Sequence, residues 1–239
     1  MKILVAGGTG FIGKALVNRL VEARHGIVLL TRDAERARMF SDPTVEIEQW
    51  DGKTVGTWFS HIDGADAVIN LAGEPIVARR WTARQKQRIR NSRMDATRAV
   101  VEAMKKAAKK PKVLVNGSAV GYYGHVEVGA VTETHPKGVG FLPDLCVEWE
   151  QEAQTAESLG VRVVMLRTGI VLEKDGGALA KMLLPFKLFL GGPIGSVRQW
   201  LPCVHLEDVV RIVMFALENS NFSGPVNVAA PESVNMKQF

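Results

Sequence analysis

Three hydroxyls and a run of glycines carry the chemistry this sequence offers. Ser118, Tyr122 and Tyr123 fall within Gly117–Gly124, GSAVGYYG, and these are both of the chain's tyrosines. Hydroxyls crowded at that spacing can bond a substrate carbonyl or alcohol, and a tyrosine can pass it a proton. An unperturbed phenol ionises near pH 10, so a tyrosine working near neutrality needs a cation beside it. The competing reading is a loop whose tyrosines pack flat on a sheet edge. The second chemical stretch is Lys2–Gly13, KILVAGGTGFIG. Gly8, Gly10 and Gly13 satisfy G-x-G-x-x-G, and Gly7, Gly10 and Gly13 satisfy the wider G-x-x-G-x-x-G. In this pattern one glycine permits a tight turn, one lets backbone amides approach a pyrophosphate, and the last lets a helix pack close to the strand. The helix N-terminus adds partial positive charge. The motif follows a strand-like run, Ile3–Ala6, and opens a helix at Phe11, the context that gives it weight. Gly7, Thr9, Gly10, Phe11, Ile12 and Gly13 are the dinucleotide contacts expected there.

The elements that position these residues alternate. Strands are expected at Gly26–Thr31, Val45–Gln49, Asp66–Leu71, Lys112–Asn116 and Val161–Leu166. Helices are expected between them: Ala34–Phe40, Thr82–Lys110 with a bend or break near Asn91, and Pro143–Leu159. With the first strand this makes six, and such alternation demands a parallel sheet with right-handed crossovers. The fold class is α/β, a Rossmann-type doubly wound parallel sheet over residues 1–172. A small substrate-side region follows over 173–239, with an apolar helix at Ala178–Leu190, a helix at Glu207–Glu218 and a last short strand at Asn227-Val228.

Strand ends mark further candidates. The second strand runs into Thr31-Arg32-Asp33. An acid there selects NAD through the ribose 2′-hydroxyl, and an arginine accommodates the 2′-phosphate of NADP. Aligned on Thr31 and Arg32, the chain favours NADP over NAD. Asp33 either plays the NAD-type acid or caps the following helix. Asp51, after the third strand, either meets the adenine or shapes its turn. Leu71, Ala72 and Gly73 let backbone pass close to the middle of a cofactor, and Glu74 reads as a solvated loop carboxylate. Arg198, Gln199, Trp200 and His205 form a polar and aromatic set suited to a substrate pocket. The plainer alternative is that Trp200 packs and His205 bonds near a helix start.

Bulk properties set the bounds. The chain has 239 residues, 46% of them hydrophobic, enough for one α/β domain with an appendage. Its net charge of +5 suits a phosphorylated small molecule but is too weak to imply nucleic acid. No apolar run is long enough for a membrane span. Cys146 and Cys203 are far apart with no Cys/His metal spacing, so no metal site and no disulfide framework is expected, and the compartment reads as reducing and cytoplasmic.

GGTGFIG at Gly7–Gly13, NLAG at Asn70–Gly73, the Ser118 segment and VHLEDV at Val204–Val209 resemble the short-chain dehydrogenase/reductase superfamily. The last is similar to a stretch of its extended members, the sugar-nucleotide epimerases and dehydratases. NLAGEPI at Asn70–Ile76, the region around Arg93, LRTGIVL at Leu166–Leu172, LLPFKLFLGGPIGS at Leu183–Ser196 and RQWLPCVHLEDV at Arg198–Val209 are similar to the NADP-binding epimerase-family subgroup of atypical extended members. The resemblance covers essentially the whole chain. It implies an NADP-dependent oxidoreductase or epimerase of a small, sugar-nucleotide-like substrate, with Ser118 as the catalytic serine. It also implies a homodimer through the long helices and a further C-terminal segment. One departure stands out. The superfamily's Tyr-x-x-x-Lys pair should open the helix before Trp149, where this chain reads Phe141-Leu142-Pro143-Asp144-Leu145-Cys146. Either Tyr122 or Tyr123 substitutes for the missing tyrosine, or the protein is a non-catalytic NADP-binding sensor or partner-binding module.

Overall fold

Strands of four to seven residues, the central ones mostly apolar, assemble one parallel sheet. The computed structural model describes the chain except residues 40, 78, 128, 175, 178, 180–191, 193–198, 233, 237 and 239. The strands are β1 (Lys2–Ala6), β2 (Gly26–Thr31), β3 (Glu46–Gln49), β4 (Ala67–Asn70), β5 (Val113–Ala119) and β6 (Arg162–Thr168). Then come β7 (Ile170–Glu173), β8 (Trp200–Leu201), β9 (Cys203–His205), β10 (Gly224–Val228) and β11 (Val234–Asn235). Among the described residues the main sheet has seven strands, the six expected and β10, which contains the short last strand expected at Asn227-Val228, in the order β10-β6-β5-β4-β1-β2-β3. Every neighbouring pair is parallel. The build direction reverses between β1 and β4, and ligands bind outside the strand ends at such a switch point.

Helices cover both faces. α1 (Phe11–Glu22) and a late helix bury Leu16, Val17, Leu20, Val209 and Val213 on one side. α2 (Ala34–Arg38) is short. α3 (Ala83–Lys106) buries Ala96, Val100 and Met104 on the other side, against Val28, Val68 and Leu114. α4 (Phe141–Gln154) packs beside α3 through Leu145, Trp149, Ile89 and Met94. The late helix is α5 (Leu206–Glu218).

Three helical expectations change. α3 is continuous through Asn91, because no glycine or proline interrupts residues 83–106 and Thr82 caps its start by accepting from the Gln85 amide. α4 begins two residues early and ends at Gln154; a 3-10 turn, Thr155–Leu159, then leads to Gly160 in the left-handed region. α2 stops at Arg38 rather than reaching residue 40. Outside the main sheet β7 pairs in parallel with β9, and β8 pairs antiparallel with β11. The helix expected over 178–190 lies, but for Leu179, outside the described residues. Among the described residues no helix is long and apolar enough to cross a membrane.

Candidate functional site

The turn between β1 and α1 is built around two close approaches. Gly7 has φ +82°, and a Cβ on it would lie 2.6 Å from the carbonyl carbon of Leu71, so the turn touches the chain leaving β4. A Cβ on Gly13 would lie 2.3 Å from the Gly7 carbonyl oxygen, so α1 is pressed against the turn. Gly10 is the N-cap of α1; no side chain caps it, and the first turn holds no acid. Its leading amides therefore have no side-chain acceptor and suit an anion. By contrast, Asp33, Thr82 and His205 cap α2, α3 and α5 with their side chains. This is the fit expected of a pyrophosphate cradle.

A cleft of about 700 Å³ opens over this turn. Gly7, Thr9 and Gly10 line its middle, Thr31, Arg32 and Asp51 one end, and Leu71, Ala72 and Gly73 the side by β4. Phe11, Ile12 and Gly13 do not line it. The Phe11 ring lies against Gly176 and Gly177, Ile12 packs on the core, and Gly13 is buried. What these three can offer is backbone.

At the β2 end the acids bond their own turns while lining the cleft. The Asp33 carboxylate accepts from the Arg36 amide at 3.0 Å and caps α2. Gln49, which sequence reasoning missed, clamps the loop: its Nε2 donates to the Arg32 carbonyl at 2.7 Å and its Oε1 accepts from the Ala34 amide at 3.1 Å. Arg36 was also missed, yet it lines the cleft one helical turn beyond Arg32. The Asp51 carboxylate accepts from the Lys53 and Thr54 amides at 2.8 and 2.9 Å and from the Thr54 hydroxyl, so it shapes its own turn while lining the cleft. A second cleft of about 460 Å³ adjoins on the far side of Arg32, toward Thr54 and Trp58.

The hydroxyl cluster is closed rather than open. Ser118, 6% exposed, donates to Glu150 Oε1 at 2.6 Å. Glu150 also takes a bidentate pair from Arg167, Nε to Oε1 and Nη2 to Oε2, both 2.8 Å. Arg167 Nη1 donates to the Tyr123 hydroxyl at 2.9 Å, and that hydroxyl donates to Asn227 Oδ1 at 2.6 Å. Tyr123 is thus buried and committed as donor and acceptor, and burial pushes its pKa up despite the Arg167 and Asn227 bonds. The required cation exists, but it is already paired with Glu150. The guanidinium carbon of Arg167 also stacks 3.5 Å from the centre of the Tyr122 ring. Of the three expected hydroxyls, Ser118 bonds Glu150 on α4 and Tyr123 bonds Arg167 on β6 and Asn227 on β10, partners their local sequence does not reveal. No hydrogen bond from the Tyr122 hydroxyl forms among the described residues.

The first two turns of α4 hold Leu142 and Cys146, both close to Gly121, and no tyrosine or lysine stands there. Burial pushes the Cys146 thiol up to about 11. Arg198 lies outside the described residues. The Gln199 carbonyl accepts from the Met236 amide, Trp200 Nε1 donates to the Glu127 carbonyl at 3.0 Å, and His205 Nδ1 accepts from the Glu207 amide at 3.3 Å to cap α5. For His205 this matches the plainer alternative, whereas Trp200 is exposed and does not pack into the core. Sequence reasoning also missed a buried ladder in which Asn70 donates to Asn116 and Thr97, and Trp149 donates to Thr97.

The chain matches the family model described as "NAD dependent epimerase/dehydratase family" over residues 3–229. It is 40% identical to the chloroplastic epimerase family protein SDR39U1 homolog of Arabidopsis thaliana, across 100% of this chain and 69% of that protein. Its fold is similar to the crystal structure of human epimerase family protein SDR39U1 (isoform 2) with NADPH, at TM-score 0.83 and 34% identity, covering 99% of this chain and 76% of that one. It is also similar to the nucleoside-diphosphate sugar epimerase of Corynebacterium glutamicum, at TM-score 0.82 and 29% identity, covering 100% of this chain and 48% of that one.

Proposed function

The chain belongs to the NAD-dependent epimerase/dehydratase family, and on that premise we propose that it is an NADP(H)-dependent oxidoreductase or epimerase of a small, sugar-nucleotide-like substrate. The observation that carries the cofactor choice is the β2 end of the cleft. Arg32 and Arg36 line it together with Asp33, one oxygen of whose carboxylate accepts from the Arg36 amide. Two guanidiniums suit a phosphate dianion, and the human relative's structure holds NADPH. The leading amides of α1 hold the pyrophosphate. Leu71–Gly73 flank the ribose. When bound, the nicotinamide supplies the hydride chemistry and the protein supplies position. Tyr122 is the one expected hydroxyl left to meet a substrate. We place the protein in a reducing cytoplasm as a homodimer through α3 and α4; two free cysteines and the family resemblance support this.

The test is calorimetric titration with NADPH and NADH of the wild type and Arg32→Ala. Tight NADPH binding that weakens at least tenfold in the variant, with NADH little changed, is the expected result. Equal affinity of the variant for NADPH would sink the 2′-phosphate assignment. A second reading, a non-catalytic NADP-binding protein, is favoured by Leu142 and Cys146 in the first two turns of α4 and by the commitment of Ser118 and Tyr123. It expects NADPH to bind with no turnover on a nucleotide-sugar panel. Turnover that Tyr122→Phe abolishes without changing NADPH affinity would decide for the enzyme.

A further inference from the structure

Arg93 is a buried cation that neither the cofactor contacts above nor the hydroxyl network uses. It lies on α3 and is 8% exposed. Its guanidinium carbon sits 5.0 Å from the centre of the Trp149 ring. Nη1 donates to the carbonyls of Glu74 and Ile89 at 3.0 and 3.1 Å. A guanidinium has five N–H donors, yet among the described residues those two carbonyls are its only acceptors, both on Nη1. No carboxylate pairs with it among the described residues. Arg167, equally buried, differs on this point: the Glu150 carboxylate meets it in a bidentate pair. The Glu74 carboxylate acts on it only through space; a buried charge with no ion-paired carboxylate is costly, and it attracts any anion that reaches it.

The position of Arg93 specifies where that anion would come from. Ser92, Gly73 and Glu74 line the cleft, and Ser92 Oγ accepts from the Glu74 amide at 2.9 Å. A Cβ on Gly73 would lie 3.1 Å from Arg93 Cζ and 3.2 Å from Nη1. The charge therefore stands one glycine behind the β4 wall of the cleft, away from Arg32 and Arg36. Its α3–α4 seam continues to the start of α4, where the resemblance leads one to expect a lysine within Phe141–Cys146 and the chain has none. Burial lowers the Arg93 pKa to about 10, which leaves it charged at neutral pH.

We propose that Arg93 is the anion-recognition residue of this cleft: from α3 it supplies the cation that the start of α4 lacks, and it draws an anionic oxygen to the β4 wall. That oxygen belongs to the dinucleotide's pyrophosphate or to a carboxylate or phosphoryl group of the substrate. The proposal rests on the dinucleotide reading of the cleft.

Wild type, Arg93→Met and Arg93→Lys are titrated with NADPH and with inorganic phosphate, the latter with and without saturating NADP, and each ligand-free protein is melted. If the pyrophosphate is the source, Arg93→Met weakens NADPH at least tenfold and Arg93→Lys stays within about threefold of wild type. If the substrate is the source, NADPH affinity is unchanged and phosphate binding is lost in Arg93→Met and kept in Arg93→Lys. Wild-type binding of both probes by Arg93→Met overturns the proposal. So does an equal loss in both variants that accompanies lower melting temperatures, which marks a structural role alone. Failure of the wild type to bind NADPH sinks the cofactor reading instead, and the phosphate arm without NADP then judges Arg93 by itself.

Discussion

The two guanidiniums buried beside α4 differ in their counterion. Arg167 meets a carboxylate in bidentate geometry, with both side chains under a tenth exposed. Breaking a buried pair from one side strands the other charge and costs about 3–5 kcal/mol. Glu150→Gln should therefore lower urea stability by that order, and Glu150→Gln with Arg167→Met should recover much of it. Equal stability of the single variant and wild type would show that the pair is not closed in solution. Tyr123 adds a pH signature. Burial raises its pKa, so the folded protein holds the phenolic proton more tightly than the unfolded chain. The resulting stability is whole below pH 10 and is lost as pH rises through the folded value. Between pH 9 and 12 the wild type should lose stability faster than Tyr123→Phe; parallel curves would show that the hydroxyl is not buried.

Where strand meets helix, local rules govern, and there the sequence was most readable. The glycine turn, the starts of α1 and α3 and the ends of β1 and β2 follow from spacing within a dozen residues. Gly7→Ala would force a left-handed backbone, costing about 1–3 kcal/mol, and drive its Cβ into the Leu71 backbone. A lower melting temperature and lost NADPH binding should appear together. Asp33→Ala removes the α2 cap at a cost of about 1 kcal/mol and leaves Arg32 and Arg36 in place. It should spare NADPH affinity, and a tenfold loss would restore Asp33 as a ribose contact. The hydroxyl cluster was illegible for a different reason. Whether Ser118 faces the cleft or the core depends on the β5–β6 register, which pairs it with Arg167, and on how α4 delivers Glu150 from 32 residues away. Neither is encoded near Ser118. Gln49 was missed likewise, because its partners at Arg32 and Ala34 are neighbours only after β3 pairs with β2.

Across the whole fold, the cleft and the α3–α4 seam share one support. Asn70 ends β4 beneath the Leu71–Gly73 wall and reaches Thr97 on α3, which also holds Trp149 on α4. Ligand in the cleft should therefore hold α4 on the sheet. Cys146 reports on that coupling: it is 3% exposed, and burial raises its thiol to about 11, so a thiol reagent meets it only when α4 opens. A ligand bound solely by the closed state stabilises it by about 2.7 kcal/mol at 100 times its Kd, a factor of about 100. In a Cys203→Ser background, which leaves Cys146 as the one thiol, saturating NADPH should slow labelling by up to that factor. NADPH that binds tightly yet leaves the labelling rate unchanged would mean that α4 opens independently of the cleft, and the ladder through Asn70, Thr97 and Trp149 would then be packing without coupling.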